Sequence, residues 1–275
     1  MDIFQVDAFT DKPFSGNPAG VCLLETEKPD VWMQGIAAEM NLSETAFLLK
    51  EKDRPGYSLR WFTPTTEVSL CGHATLASAH ILWEESVLKS HEQGLFYTKS
   101  GILTAEKRAN WIEMVFPLRR IAPVDPDPVL SKALGAKPVF TGRFVSDTGN
   151  LVLVEVGSDQ EVFHMQPDFK QLLKTEAMAV VVTAASSRGE VDFVSRFFAP
   201  AVGIDEDPVT GSAHCYLAPY WAGRLGKVEL TGYQASRRGG VVRCRPMEDH
   251  VLLGGQAITI FRGVLAVPGM PHDES

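Results

Sequence analysis

The sequence predicts an α+β protein of two pseudo-symmetric domains, each a mostly antiparallel sheet curled around a central helix. The first observation behind this is a repeat. Arg60-Trp61-Phe62-Thr63-Pro64, Glu67 and Cys71-Gly72-His73-Ala74 are echoed by Arg196-Phe197-Phe198-Ala199-Pro200, Glu206 and Thr210-Gly211-Ser212-Ala213, and in both copies the Glu stands five residues before the Gly. The second is that the helix expected after each Gly is apolar on nearly every side (Ala74, Leu76, Ala77, Ala79, Ile81, Leu82, and Ala213, Cys215, Leu217, Ala218, Trp221). Such a helix is buried all round, most simply inside a curled sheet. The third is that strand patterns outnumber helix patterns roughly three to one, which excludes a doubly wound fold. No GxGxxG or GxxxxGK[ST] follows a strand, so a Rossmann or P-loop cofactor is not expected.

Taken in order, Ile3 to Phe9 alternates as an opening strand, and Asp11 to Gly16 supplies turn residues. Gly16-Asn17-Pro18-Ala19-Gly20 reads as a tight loop before a strand from Val21 to Leu24. Asp30 is the predicted N-cap of a helix whose Met33, Ile36, Ala37 and Met40 recur at helical spacing. Asn41 stops that helix, and a strand from Thr45 to Leu49 leaves Glu44 at its mouth. Tyr57 to Phe62 is a strand, Gly72 opens the first buried helix, and Leu95 to Thr104 and Trp111 to Phe116 are two more strands. Proline-rich Arg119 to Pro128 is the predicted linker, giving domains 1–118 and 119–255, with a last strand near 256–266 crossing back to the first. Beyond it, helices are expected near Val129–Leu134 and Phe169–Thr175. Strands are expected at Val139–Phe140, Asn150–Val156, Val180–Thr183, Phe193–Phe198, Lys227–Thr231, Gly240–Arg245 and His250–Gly254. Pro219 is expected to kink the helix that Gly211 opens.

At 275 residues the chain has room for two ordinary domains, and 45% hydrophobic content suits packed cores. A net charge of −8 disfavours a nucleic-acid partner, which would call for concentrated Lys and Arg. Cys22, Cys71, Cys215 and Cys244 show neither CxxC nor zinc-like spacing, so no metal is expected and the thiols read as reduced and cytosolic. No signal peptide is apparent, and the longest apolar window, Ala177 to Val182, is too short for a membrane span. The expectation is a soluble cytoplasmic protein with no membrane partner.

The candidate chemistry gathers at the repeat. A helix N-terminus offers unbonded N–H groups and partial positive charge, so Cys71-Gly72-His73 and Thr210-Gly211-Ser212 suit a carboxylate or enolate. Alternatively, each Gly only relieves crowding where a buried helix begins. Glu44 is the leading proton carrier, with partial burial expected to raise its pKa; otherwise it is a polar strand-edge residue. Asp207, in the run Asp205-Glu206-Asp207, either complements a helix dipole, holds an imidazole protonated or orients a substrate group. His73 is a hydrogen-bond donor, a second acid/base or a satisfied core histidine. Cys71 precedes a helix, where thiol pKa values fall. Thr210 in the matching place cannot act as a base, which counts against racemisation by paired cysteines.

With Asp7-Ala8-Phe9, Gly16-Asn17-Pro18, Asn41-Leu42-Ser43-Glu44-Thr45, Phe62-Thr63-Pro64, Cys71-Gly72-His73-Ala74-Thr75, Glu206-Asp207-Pro208-Val209-Thr210-Gly211-Ser212-Ala213-His214 and Ser236-Arg237-Arg238-Gly239-Gly240, the chain resembles the PhzF (phenazine biosynthesis-like) proteins. These are related in fold to diaminopimelate epimerase. The resemblance implies two domains, each a barrel-like sheet around a central helix, with the active site in the cleft between them. It also implies a homodimer and no metal or organic cofactor. The characterised phenazine enzyme moves a proton across a diene acid. Its proton-shuttling glutamate falls on Glu44, and its other polar site residues fall on His73, Asp207 and Ser212. The resemblance places the substrate carboxylate against the N–H groups of Gly72, His73, Gly211 and Ser212, with Asn17 lining the cleft. Cys71 occupies the place of one epimerase thiol.

The expected function is a cofactor-independent isomerase acting on a small carboxylic acid with an acidic C–H. Its rivals are an amino-acid epimerase or racemase using Cys71, and a non-enzymatic module that binds a metabolite or protein.

Overall fold

The structure, a computed structural model, describes residues 1–146 and 149–266. The chain divides into two compact units: Met1–Val115 with the segment from Gly255 on, and Phe116–Gly254. The first unit holds β1 (Asp2–Ala8), β2 (Asn17–Leu24), α1 (Asp30–Met40), β3 (Glu44–Lys50), β4 (Tyr57–Phe62), β5 (Glu67–Val68), α2 (Gly72–Glu84), β6 (Gly94–Thr98), β7 (Gly101–Arg108) and β8 (Trp111–Pro117). The second holds β9 (Ala122–Pro123), α3 (Pro128–Leu134), β10 (Phe140–Ser146), β11 (Gly149–Glu155), α4 (Asp159–His164), α5 (Phe169–Leu172), β12 (Ala179–Ala185), β13 (Phe193–Ala199), β14 (Ile204–Asp207), α6 (Gly211–Leu225), β15 (Leu230–Gln234), β16 (Gly240–Pro246) and β17 (His250–Gly255). The chain then returns to the first unit as β18 (Ala257–Val264). This is a strand-rich α+β fold.

Strand pairing repeats between the units. In the first, the order β18-β1-β2-β3-β4-β6-β7-β8 is antiparallel except for the parallel pairs β2–β3 and β4–β6, and β5 folds back on β4. In the second, β9-β10-β11-β12-β13-β15-β16-β17 has its parallel pairs at the same steps, β11–β12 and β13–β15, and β14 folds back on β13. Each parallel step needs a crossover, since a tight hairpin can join only antiparallel neighbours. Helix α1 supplies one crossover, and α2 and α6 make the matching pair.

The core follows from these helices. In α2, His73 to Ala79 and Ile81 to Trp83 are all buried, and the helix packs on β1, β2, β3 and β18. Helix α6 packs on β15 and β16. On another face of the first sheet, Trp32, Met33, Ile36 and Ala37 of α1 cover Ile3, Cys22, Phe47 and Phe62. In the second unit, Leu130, Val162, Met165 and Leu172 cover Val152, Val154, Val180, Val182, Val194 and Phe198 in the same way. Each large aliphatic or aromatic side chain so buried contributes about 1.5–3 kcal/mol.

Several local expectations change. Strand β2 begins at Asn17, because Asn17 to Cys22 pair with Ala8 to Ile3 and absorb most of the presumed loop. Gly20 is required by its neighbour strand, since a Cβ there would lie 2.8 Å from Thr45 Oγ1. Asp30 is the first helical residue and Pro29 the N-cap; the Asp30 carboxylate accepts from Arg60 Nη1 at 2.7 Å instead of capping the helix. Asn41 ends α1 in the left-handed region, with φ of 50°. The segment Leu95 to Thr104 is a hairpin, turned at Gly101 with φ of 101°. Helix α5 stops at Leu172 and β15 starts at Leu230. Helix α4, capped by Ser158 Oγ accepting from Glu161 N, and the short β5 and β14 carried no periodic signal.

Candidate active site

The repeated Arg and Glu fix how each buried helix begins. In β4, Arg60 donates from Nε and Nη2 to the two carboxylate oxygens of Glu67 in β5, both at 2.8 Å. In β13, Arg196 donates from Nε and Nη2 to Glu206 in β14 at 2.6 and 2.9 Å. A two-pronged guanidinium–carboxylate pair fixes direction as well as distance. Each clamp therefore pins the return strand from which the chain turns into its helix. Neither Cys71 nor Thr210 caps its helix with a side-chain hydrogen bond. The N-cap carbonyls are held instead by Thr75 Oγ1, which donates to Cys71 O at 2.6 Å, and by His214 Nδ1, which donates to Thr210 O at 2.9 Å. Both starts thus present their first-turn N–H groups and the positive end of the helix dipole.

In the first unit the ionisable groups converge. Asn41 halts α1 and β3 opens at Glu44, whose carboxylate Oε2 comes to 3.2 Å from His73 Nε2. The Glu44 side chain is 16% exposed and that of His73 8%. The approach is close but out of line for a hydrogen bond, so Glu44 Oε2 is buried with no hydrogen-bond partner among the described residues. Cys71 Sγ lies 3.5 Å from His73 Nδ1 and 4.0 Å from Nε2.

Charge in this cluster runs against the expectation for Glu44. Burial pushes the Glu44 carboxyl upward, but the His73 charge, with the close polar contacts of His73 and Cys71, outweighs it and holds the pKa below 4.5. Burial opposes the His73 charge in turn, yet Cys71 and Glu44 raise its pKa well above 6.5. The pair stands as carboxylate and imidazolium near neutral pH. The expected drop for Cys71 is also overturned: burial, with the Glu44 charge adding to it, pushes the thiol up to about 11. The helix start is too weak to offset loss of solvent, and Cys71 remains a thiol at neutral pH.

The matching positions in the second unit carry different chemistry. Thr210 stands where Cys71 does, and Ser212 stands where His73 does. Strand β12, the counterpart of β3, opens with Ala179 where β3 opens with Glu44. Asp207 is half-buried at the end of β14 and accepts a hydrogen bond from Thr210 Oγ1. Ser212 is exposed in the first turn of α6, beside buried Gly211. Gln234, fully buried on β15, was not foreseen. It donates to Asp207 O at 2.8 Å and accepts from Thr210 N at 2.8 Å, tying the helix start to the sheet. A glutamine in a strand carries no motif, and only the buried hydrogen bonds expose its role.

Of the other predicted residues, the structure brings Glu44, Gly72 and His73 to one end of the first unit. Asn17 joins them there, fully buried, its Oδ1 accepting from Ser43 Oγ at 3.5 Å directly beside Glu44. Asp207, Gly211 and Ser212 share the corresponding end of the second unit's repeat. No helix among the described residues is long and apolar enough to cross a membrane.

A strand-rich α+β chain of two like units, with a carboxylate–imidazolium pair beside one helix start, belongs to the class of epimerase-like folds. A hydroxyproline epimerase from Agrobacterium vitis, solved with trans-4-hydroxy-L-proline, shares that fold at a TM-score of 0.59 and 10% identity over 96% of this chain and 91% of its own. The chain itself belongs to the phenazine biosynthesis-like (PhzC-PhzF) family, whose model matches residues 6–263. An "uncharacterized isomerase" of Halalkalibacterium halodurans is 52% identical over 264 residues, 96% of this chain and 97% of its own. The crystal structure of a PhzF-family phenazine biosynthesis protein from Enterococcus faecalis superposes with a TM-score of 0.89 at 40% identity, covering 95% of this chain and 97% of its own. Isomerase is the enzyme class that close relatives of this chain carry in their names.

Proposed function

We propose that this isomerase moves a proton between two carbons of a small carboxylic acid, with Glu44 as its single acid/base. The observation that carries this reading is the Glu44–His73 pair at 3.2 Å, together with the absence of any such pair at the matching second-unit positions, Ala179 and Ser212. Glu44, ionised at rest, takes the proton, and the C–H electron pair spreads into the substrate's conjugated acid. The neutralised carboxyl then returns the proton to a second carbon. Throughout, the imidazolium of His73 faces the growing negative charge and stabilises it. The N–H groups of Gly72 and His73 are assigned to the substrate carboxylate. The repeat gives Gly211 and Ser212 the same anion-holding role at the second helix start, with Asp207 orienting a polar group there and Asn17 supporting the Glu44 loop.

A depressed Glu44 is a weak base, so the substrate has to supply an acidic C–H of its own, such as one flanked by an alkene and a carboxylate. The same asymmetry counts against a two-base epimerase, since the thiol of Cys71 stays protonated and Thr210 faces Asp207. The test is a panel of small unsaturated carboxylic acids, screened by thermal stabilisation and then followed for deuterium uptake from solvent. Glu44→Gln should lower exchange by about 10²–10⁴-fold while binding stays within a few-fold. Exchange that survives in Glu44→Gln removes Glu44 from this role.

A further inference from the structure

We infer that Cys71, His73 and Glu44 together form a binding site for a thiophilic divalent ion of the zinc class, and that an ion seated there occupies the proposed base. The sequence shows no zinc spacing, because the third donor comes from β3, outside the Cys71-Gly72-His73 run. Thiolate, imidazole and carboxylate are the three side-chain donors that zinc takes. One ligand atom from each lies within 4.8 Å of the other two, and among the described residues no other group of three such donors meets that condition.

The separations fit the ion. Zinc bonds of about 2.0–2.3 Å set tetrahedral donors roughly 3.3–3.8 Å apart. Sγ of Cys71 is 4.0 Å from Nε2 of His73, Nε2 is 3.2 Å from Oε2 of Glu44, and the thiol–carboxylate side closes within 4.8 Å, so movements of at most about 1 Å complete the triangle. The supports are stiff: Cys71 is the N-cap of α2, His73 lies in its first turn and Glu44 opens β3. Three protein ligands leave a fourth position for water or a carboxylate. Glu44 Oε2, buried without a hydrogen-bond partner, is the acceptor that the ion would satisfy, and the 16% exposure of this side chain leaves a way in from solvent. Zinc entering here displaces the thiol proton and the imidazolium proton to solvent. Turnover through Glu44 then stops until the ion leaves.

This inference does not rest on the proposed reaction: it concerns metal affinity, which is measured without substrate. The full chain, treated with chelator and then with near-equimolar Co²⁺ at neutral pH, is read by absorption. The expected result is a near-ultraviolet thiolate-to-cobalt band with tetrahedral visible bands, reversed by Zn²⁺ and absent in Cys71→Ser. No thiolate band in the parent chain overturns the inference, and so does a band that persists in Cys71→Ser, since the sulfur would then be Cys22, Cys215 or Cys244. Should Cys71→Ser not fold, Glu44→Gln serves instead. Cobalt affinity at least about tenfold weaker, with the thiolate band retained, supports the site, and unchanged affinity overturns it.

Discussion

The two clamps that set the helix starts are alike in sequence but not in surroundings, and this gives an unequal cost for the same substitution. Arg196→Met removes both bonds to Glu206 and the Nη1 bonds to Met165 O at 2.7 Å and Val162 O at 3.3 Å, while keeping the aliphatic stem. The partners are 11% and 20% exposed, so Glu206 is left as a largely buried charge. Breaking a pair of that kind costs about 3–5 kcal/mol; the remaining exposure of Glu206 argues for the lower end, about 3 kcal/mol. Arg60→Met is milder. Glu67 retains Lys99 as a cationic partner, and the other bond lost is to Asp30, which is 74% exposed. A cost of about 1–1.5 kcal/mol follows. Urea unfolding of the two variants against the parent chain, followed by circular dichroism, separates the two costs. Equal losses, or a larger loss for Arg60→Met, would refute the argument from burial.

Activity should hold level from below pH 4.5 to well above 6.5, falling in acid as Glu44 gains a proton and in alkali as His73 loses one. In His73→Gln the acid limb should move up; a parent acid limb near about pH 6–7 would show that burial, not the imidazolium, governs Glu44. His214, buried and neutral, has its pKa lowered from 6.5 to about 4 by burial. The unfolded chain therefore takes the proton first: stability is intact above pH 6.5 and drops by about 3 kcal/mol as pH falls toward 4, and His214→Asn should flatten that slope. Gly255→Ala should cost about 1–3 kcal/mol in denaturant, because its Cβ would stand 2.5 Å from both Leu76 Cδ1 and Phe9 Cδ1; a neutral effect would mean that α2 shifts freely. Ser212→Ala, at an exposed position, should leave stability within about 0.5 kcal/mol while raising KM, and an unchanged KM would take Ser212 out of the substrate site.

Much of the fold was legible because it rests on periodicity and on the repeat. The all-round apolar run after Gly72 could only be a buried helix, and Asn41 is a residue suited to the left-handed stop that it makes. What stayed hidden depends on partners far along the chain. Asn17 joins a strand only because β1 is beside it, and Asp30 turns away from its helix because Arg60 reaches it. At the site, residue types pointed to Glu44 and His73 but not to their charge. Burial alone predicts a raised carboxyl, and only the 3.2 Å contact reveals the imidazolium that reverses the direction. Gln234 shows the same limit, being a buried bridge with no local pattern.

Strand β18 pairs with β1 from Ala257 opposite Ala8 to Val264 opposite Asp2, so β1 finds one of its two neighbours far along the chain. Strand β18 follows β17 after a single residue, so during translation the two units gain their final strands almost together. A nascent chain stalled short of Ala257 would leave the flank of β1 open, so the half carrying Glu44 closes only once β18 has emerged.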